Sequence, residues 1–244
     1  MILIHLAGHS GAGKSRLTAA LPKCGISVPR AVLYTSRAPR DGEVHGRDYY
    51  FLSKGAIATL PWGDFFVGPV REMLQAVDLQ QLQESLESDA PSLVLVEIFA
   101  DLWPGLRKRV TERLGGELRT ASVFLTAVDP EIVVALPDNE ARGRYIRDEV
   151  ERTLTWRRKD EPDKILSRAE SAIDEVLAAL GLQGSHQYDY VLHSSPEGPD
   201  GEDDWTRAET PVGQAKQVLD RVVGLVRAET DAGQRGVARE RRFM

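Results

Sequence analysis

Two short runs hold the residue types that chemistry would need. The first, Gly8-His9-Ser10-Gly11-Ala12-Gly13-Lys14-Ser15, places a glycine, four residues and then Gly-Lys-Ser. Gly8, Gly11 and Gly13, with the small Ser10 and Ala12, let a backbone wrap an anion with its N–H groups inward. A helix starting at Lys14 adds a favourable dipole. In this pattern the Lys14 ammonium bridges the β- and γ-phosphates of a purine nucleoside triphosphate, and the Ser15 hydroxyl ligates Mg²⁺. His9, inside the loop, is read as a variable position rather than a catalytic base. The second run extends from Thr35 to Phe51. Arg37 and Arg40, three apart with Pro39 between them, can present two guanidinium forks to one phosphate, and the Tyr49 hydroxyl can complete the cage.

These runs need a scaffold, and the apolar spacing supplies one. Ile2 to Ala7 is a nearly continuous apolar run ending at Gly8, the pattern of a buried parallel strand that enters a turn. Lys14 to Leu21 reads as a helix stopped by Pro22. A second apolar run, Ala31 to Tyr34, leads into the polar segment, which Tyr49 to Phe51 closes with strand formers. Met73 to Glu87 is expected to be an amphipathic helix. Strands follow at Ser92 to Ile98 and Ala121 to Leu125, with a helix over Leu106 to Leu114 between them. Asn139 to Leu182 is expected to form two arginine-rich helices meeting near Pro162. Tyr188 to Leu192 is a last strand, Ser194 to Asp204 an exposed loop, and Val212 to Val226 a final helix. Strands alternating with helices predict an α/β fold whose parallel sheet is covered on both faces.

The 244-residue chain has 28% charged and 42% hydrophobic residues and a formal net charge of −6. That composition fits one enzyme-sized globular unit, and the acidic balance offers no basic field for nucleic acid or an anionic membrane. The single cysteine, Cys24, suits a reducing compartment, and the short apolar lead Met1 to Ala7 does not resemble a signal peptide. A cytoplasmic protein with small-molecule partners is expected.

Beyond the glycine-rich loop, the run Thr35-Ser36-Arg37-Ala38-Pro39-Arg40-Asp41-Gly42-Glu43-Val44-His45-Gly46-Arg47-Asp48-Tyr49-Tyr50-Phe51 resembles the hallmark of the guanylate kinase family, Thr-Thr-Arg-x-Pro-Arg-x-Gly-Glu-x-x-Gly-x-Asp-Tyr-x-Phe. Only Ser36 departs from it. The resemblance implies a P-loop kinase: a three-layer α/β/α fold with a parallel core sheet, a small lobe binding a nucleoside monophosphate, and a helical arginine-rich lid. It also implies ATP and Mg²⁺, with Arg37, Arg40 and Tyr49 on the acceptor phosphate. More faintly, Arg157 to Arg168 resembles the family's lid, in which two arginines about eleven residues apart fold over the transferring group. Arg157 and Arg168 fit best, with Arg158 a close rival to Arg157, and a solvated helix face is the other reading of these residues. Tyr188-Asp189-Tyr190-Val191 is similar to the family's last core strand. On this basis residues 1–230 form one domain: a core (1–34, 90–129, 183–230), an acceptor lobe (35–89) and a helical insertion with lid (130–182). Residues 231–244 are expected to be a disordered tail.

The base-reading residues depart from the family. Its serine four residues before the first clamp arginine is Leu33 here, and Phe65 to Leu79 lacks Tyr-Gly-Thr, so that only Glu72 could stand in as a reader. The third contact, an aspartate at the end of the strand near Phe99, leaves Glu97 as the sole acid. Glu97 could serve the Mg²⁺ shell, touch the base, or be structural. The acceptor is therefore GMP, dGMP or a non-standard nucleotide. A phosphorylated sugar or modified nucleotide as acceptor, and a non-catalytic binding module, are the alternative readings.

Overall fold

The computed structural model describes residues 1–26, 28–88, 93–115, 118–156, 161–184, 188–194, 205, 211 and 213–232. The chain divides into two compact units. Met1–Leu6 with Val28–Ala121 form the first, and Ala7–Ser27 with Ser122–Met244 form the second.

In the first unit, β1 (Ile2–Gly8) pairs in parallel with β6 (Leu93–Val96), Ile2 opposite Leu93 through His5 opposite Val96. All four residues of β6 are buried, which accounts for its unbroken apolar run. A second sheet has the order β3-β2-β5-β4, made of β2 (Tyr34–Thr35), β3 (Tyr50–Phe51), β4 (Phe65–Val70) and β5 (Met73–Asp78). Around them lie α2 (Lys54–Ala58), α3 (Leu79–Glu87) and α4 (Trp103–Leu114). Leu3, Leu33, Val77, Leu82, Leu86, Val94 and Leu106 belong to this unit's apolar core.

The expected helix over Met73 to Glu87 is only half present. Met73–Asp78 is a strand, antiparallel to both β4 and β2, and the helix begins at Leu79. Strand pairing overrides the helical spacing because Gln75, Ala76 and Val77 are all buried among neighbouring strands. The boundary falls at Asp78, whose carboxylate caps α3 by accepting from the Gln81 N–H at 2.9 Å. β4 carries Pro69, tolerated because β4 is an edge strand.

The second unit contains the end of β1, α1 (Lys14–Ala20), most of β7 (Arg119–Thr126) and β8 (Tyr190–His193). β7 and β8 pair in parallel, Val123 opposite Tyr190 through Thr126 opposite His193. The remaining helices are α5 (Pro130–Ala135), α6 (Asn139–Trp156), α7 (Pro162–Ala179) and α8 (Gly213–Ala232). α7 starts with Pro162 in its first turn, as a proline at that position allows. Ile146, Val150 and Leu154 of α6 share a core with Ala169, Ala172 and Val176 of α7. Asp189 bonds back to β7, accepting from the Ser122 N–H at 2.8 Å and hydroxyl at 2.9 Å. Ser194, expected in an exposed loop, is fully buried, and its N–H continues the β8 pairing to the Thr126 carbonyl. Residues 195–204 of that loop, Arg157 and Arg158 of the lid, and the tail from residue 233 lie outside the described residues. Among the described residues no helix is long and apolar enough to cross a membrane.

Candidate active site

β1 runs into the glycine-rich loop and α1 leaves it. Gly8, Gly11 and Gly13 have φ of 146°, 90° and 90°, a region that residues with a side chain rarely enter. A Cβ on Gly8 would also sit 2.3 Å from the Leu125 carbonyl oxygen, so only glycine lets the loop start against β7. Gly13 is the N-cap of α1, and its carbonyl accepts from the N–H groups of Arg16 and Leu17, both at 2.9 Å. The Lys14 ammonium folds back over the loop, donating to the Gly8 carbonyl and, at 3.3 Å, to the His9 carbonyl. Ser15 is exposed, and its hydroxyl makes no hydrogen bond among the described residues. Ser10 and Ala12 complete the loop, with Ala12 buried beneath it.

His9 is more than a variable position. It is buried, and its Nε2 accepts from the Ala127 N–H at 3.0 Å, so Nδ1 carries the proton and donates to the Ser10 carbonyl at 2.8 Å. The Thr126 hydroxyl also reaches Nε2, at 3.2 Å, while accepting from the Val128 N–H. Burial, with the positive charge of Lys14 beside it, brings the His9 pKa down to about 4, although the Ser10 bond opposes the shift. The neutral imidazole ties the phosphate loop to the end of β7. The sequence signals only a histidine in a glycine loop, because Thr126 and Ala127, which hold its Nε2, are more than a hundred residues away.

Arg168 of the expected lid lies on α7 and is partly exposed. Near the loop, Leu154 and Thr153 of α6 pack over the position a Gly11 side chain would take, and the Arg16 guanidinium lies 5.9 Å from the Trp156 ring centroid.

In the first unit, the Arg37 guanidinium grips Glu43 with both terminal nitrogens, each 2.6 Å from a carboxylate oxygen. It also lies 4.9 Å from the Tyr49 ring centroid and 5.4 Å from that of Phe51. Glu43 accepts in addition from the Arg40 N–H at 2.7 Å, so one carboxylate fixes both arginine positions. The turn from Arg40 to Glu43 closes with the Glu43 N–H on the Arg40 carbonyl, and Gly42 adopts a φ of 81°. The bonds to Arg37 hold the Glu43 carboxyl below its ordinary range. Arg40 itself is exposed. Burial, then the charge of Glu97, pushes the Tyr49 phenol above its usual pKa, which keeps its hydroxyl a proton donor. The sequence signal for Glu43 is an acid in a tight turn three residues after the second of two paired arginines.

The expected base-reading positions are placed as follows. Leu33 is buried in the core and offers no polar group. Glu72 is exposed in the β4–β5 turn beside Arg71, which adopts a left-handed φ of 54°. Glu97 follows β6 and pairs with Arg30 at 3.5 Å, a residue sequence reading passed over. His5 supports the same segment by donating from Nε2 to the Ile98 carbonyl at 2.8 Å. Gln75 is buried on β5, and its side-chain oxygen accepts from the Phe99 N–H at 3.4 Å. Among the described residues no cluster of three or more His, Cys, Asp or Glu side chains could hold a metal ion.

A lysine-closed phosphate loop at the end of a parallel strand, within an α/β fold, defines a P-loop kinase fold. The fold is shared with the crystal structure of guanylate kinase from Anaplasma phagocytophilum, at a TM-score of 0.50 and 18% identity, covering 94% of this chain and 86% of that one. Residues 1–69 match the profile of the family described as Guanylate kinase. Proteins named guanylate kinase are 30% identical in Haemophilus influenzae (77% of each chain) and 33% identical in Alkalilimnicola ehrlichii (75% of each chain). This chain belongs to the guanylate kinase family.

Proposed function

We propose that the protein is a nucleoside monophosphate kinase that transfers the γ-phosphate of ATP to the phosphate of a nucleotide acceptor. The observation that carries this reading is the loop Gly8–Ser15, wrapped for an anion and closed by Lys14 on the Gly8 carbonyl. A binding module of the same fold would have no use for that lysine.

ATP binds in this reading with its phosphates on the backbone of Gly8, Ser10, Gly11, Ala12 and Gly13, and with Lys14 moving from the carbonyls to the β- and γ-phosphates. The exposed Ser15 hydroxyl suits Mg²⁺, a hard cation that takes oxygen ligands and keeps several of its waters. Mg²⁺ supplies charge neutralisation of the triphosphate. Glu97 has a guanidinium of its own in Arg30, which favours a place on the acceptor side over the metal shell. Arg37, Arg40 and Tyr49 hold the acceptor phosphate, and Glu43 preorganises the two arginines.

An anionic oxygen of that phosphate attacks the γ-phosphorus, the bond to the β–γ bridging oxygen breaks, and ADP leaves. No general base is required because the nucleophile is already deprotonated. Lys14 with the lid arginines, Arg157 and Arg168, stabilises the charge on the transferring group.

With Leu33 buried in the core and Glu72 out on a turn, the guanine-reading pattern implied by the resemblance is incomplete, which favours an acceptor other than GMP. A modified nucleotide or phosphorylated sugar is the second reading on the same observation. A coupled ADP-release assay across ribo- and deoxyribonucleoside monophosphates and sugar phosphates tests both; GMP turnover far above all others contradicts the altered base preference.

A further inference from the structure

Arg30 sits at a point fixed by backbone. The Leu95 N–H donates to the Pro29 carbonyl and the Ala31 N–H to the Leu95 carbonyl, both at 2.9 Å, so residues 29–31 run parallel to β6 with Arg30 opposite Leu95. Glu97 is two residues beyond Leu95, on the same side of an extended chain. From there the Arg30 guanidinium makes three contacts. One terminal nitrogen meets the Glu97 carboxylate at 3.5 Å, the other donates to the Asp48 carbonyl at 2.6 Å, and the group lies 6.0 Å from the Tyr49 ring centroid. Arg37 lies 4.9 Å from the centroid of the same ring. Tyr49 therefore has a guanidinium from each of two separate segments against it, and Arg30 holds the carbonyl of the residue before it.

Glu97 is the difficulty in this arrangement. Its side chain is only 12% exposed, and a carboxylate near Tyr49 opposes a phosphate dianion held there. At 3.5 Å, with the guanidinium still 30% exposed, the Arg30–Glu97 pair is a weak prop for the fold. Its use lies in the local field.

We propose that Arg30 is a positioning residue for acceptor binding: it neutralises Glu97 and anchors Tyr49, so that a phosphate meets a net positive site. This rests on the reading that Arg37, Arg40 and Tyr49 hold the acceptor phosphate. The residue acts through Glu97 and Tyr49, not on the reacting atoms.

The test compares the wild type, Arg30→Gln, Arg30→Lys, Glu97→Gln and the double variant Arg30→Gln/Glu97→Gln, with ATP saturating and acceptor varied, alongside thermal melts. Arg30→Gln should raise acceptor KM about tenfold or more while kcat changes by less than about threefold and the melting temperature holds. Removing the carboxylate as well should recover most of that loss, because the uncompensated charge is then gone and only the Tyr49 anchor is missing. Arg30→Lys, which keeps the charge, should stay within about threefold of wild type and serves if the glutamine variant does not fold. An unchanged KM in Arg30→Gln, a defect that Glu97→Gln does not relieve, or a large loss of kcat in Glu97→Gln alone overturns the inference. A wild type that releases no ADP with any acceptor instead overturns the reading beneath it.

Discussion

Arg37 and Glu43 meet fork to fork, both terminal nitrogens of the arginine 2.6 Å from a carboxylate oxygen, and the same carboxylate takes the backbone N–H of Arg40. A bidentate pair of this kind fixes orientation as well as distance. Glu43→Gln keeps the shape and removes the charge, so both arginines should loosen together. Acceptor KM is expected to rise about five- to tenfold, with kcat within about threefold of wild type, in steady-state kinetics with ATP saturating.

Arg40, exposed on the same turn, should contribute to acceptor binding more directly. For Arg40→Ala we expect acceptor KM to rise by at least about tenfold while the KM for ATP stays near wild type. A matching loss for ATP would place Arg40 elsewhere.

Gly8 has no room for a side chain, since a Cβ would lie 2.3 Å from the Leu125 carbonyl oxygen at a φ of 146°. Gly8→Ala must shift either the loop or β7. It should cost about 3 kcal/mol or more, visible as a lower midpoint in denaturant unfolding and as weakened ATP binding.

His9 links the phosphate loop to stability in acid. Its pKa is about 4 in the folded protein against 6.5 in an unfolded chain, so the unfolded state binds the extra proton between those values. Its contribution is complete above pH 6.5 and is lost as pH falls towards 4, to a total of about 3 kcal/mol. Unfolding free energy measured across that range should fall with decreasing pH, and His9→Gln should flatten the slope.

What could be read from the sequence follows from how local each feature is. The phosphate loop is one unbroken run from Gly8 to Ser15, and the arginine turn and Tyr49 fall within the single segment from Arg37 to Tyr49. β5 was hidden because Met73, Leu74 and Val77 mimic a helical stripe when β4, which pairs with them, is not recognised; Asp78, the cap of α3, was the local clue. Arg30 was invisible for a different reason. Its partner Glu97 is 67 positions away, and nothing in the string of letters joins them until residues 29–31 are zipped to β6. The role of His9 was lost in the same way, through bonds to Thr126 and Ala127.

In the proposed reaction Lys14 and its loop deliver a phosphoryl group to a phosphorylated acceptor. ADP release should be measured for the wild type and Lys14→Ala with ATP and Mg²⁺, across nucleoside monophosphates and sugar phosphates. Acceptor-dependent release is expected in the wild type and a loss of about a thousandfold or more in Lys14→Ala, with an unchanged fold by circular dichroism. Acceptor-independent release in the wild type, or near-normal turnover in Lys14→Ala, would rule that reaction out.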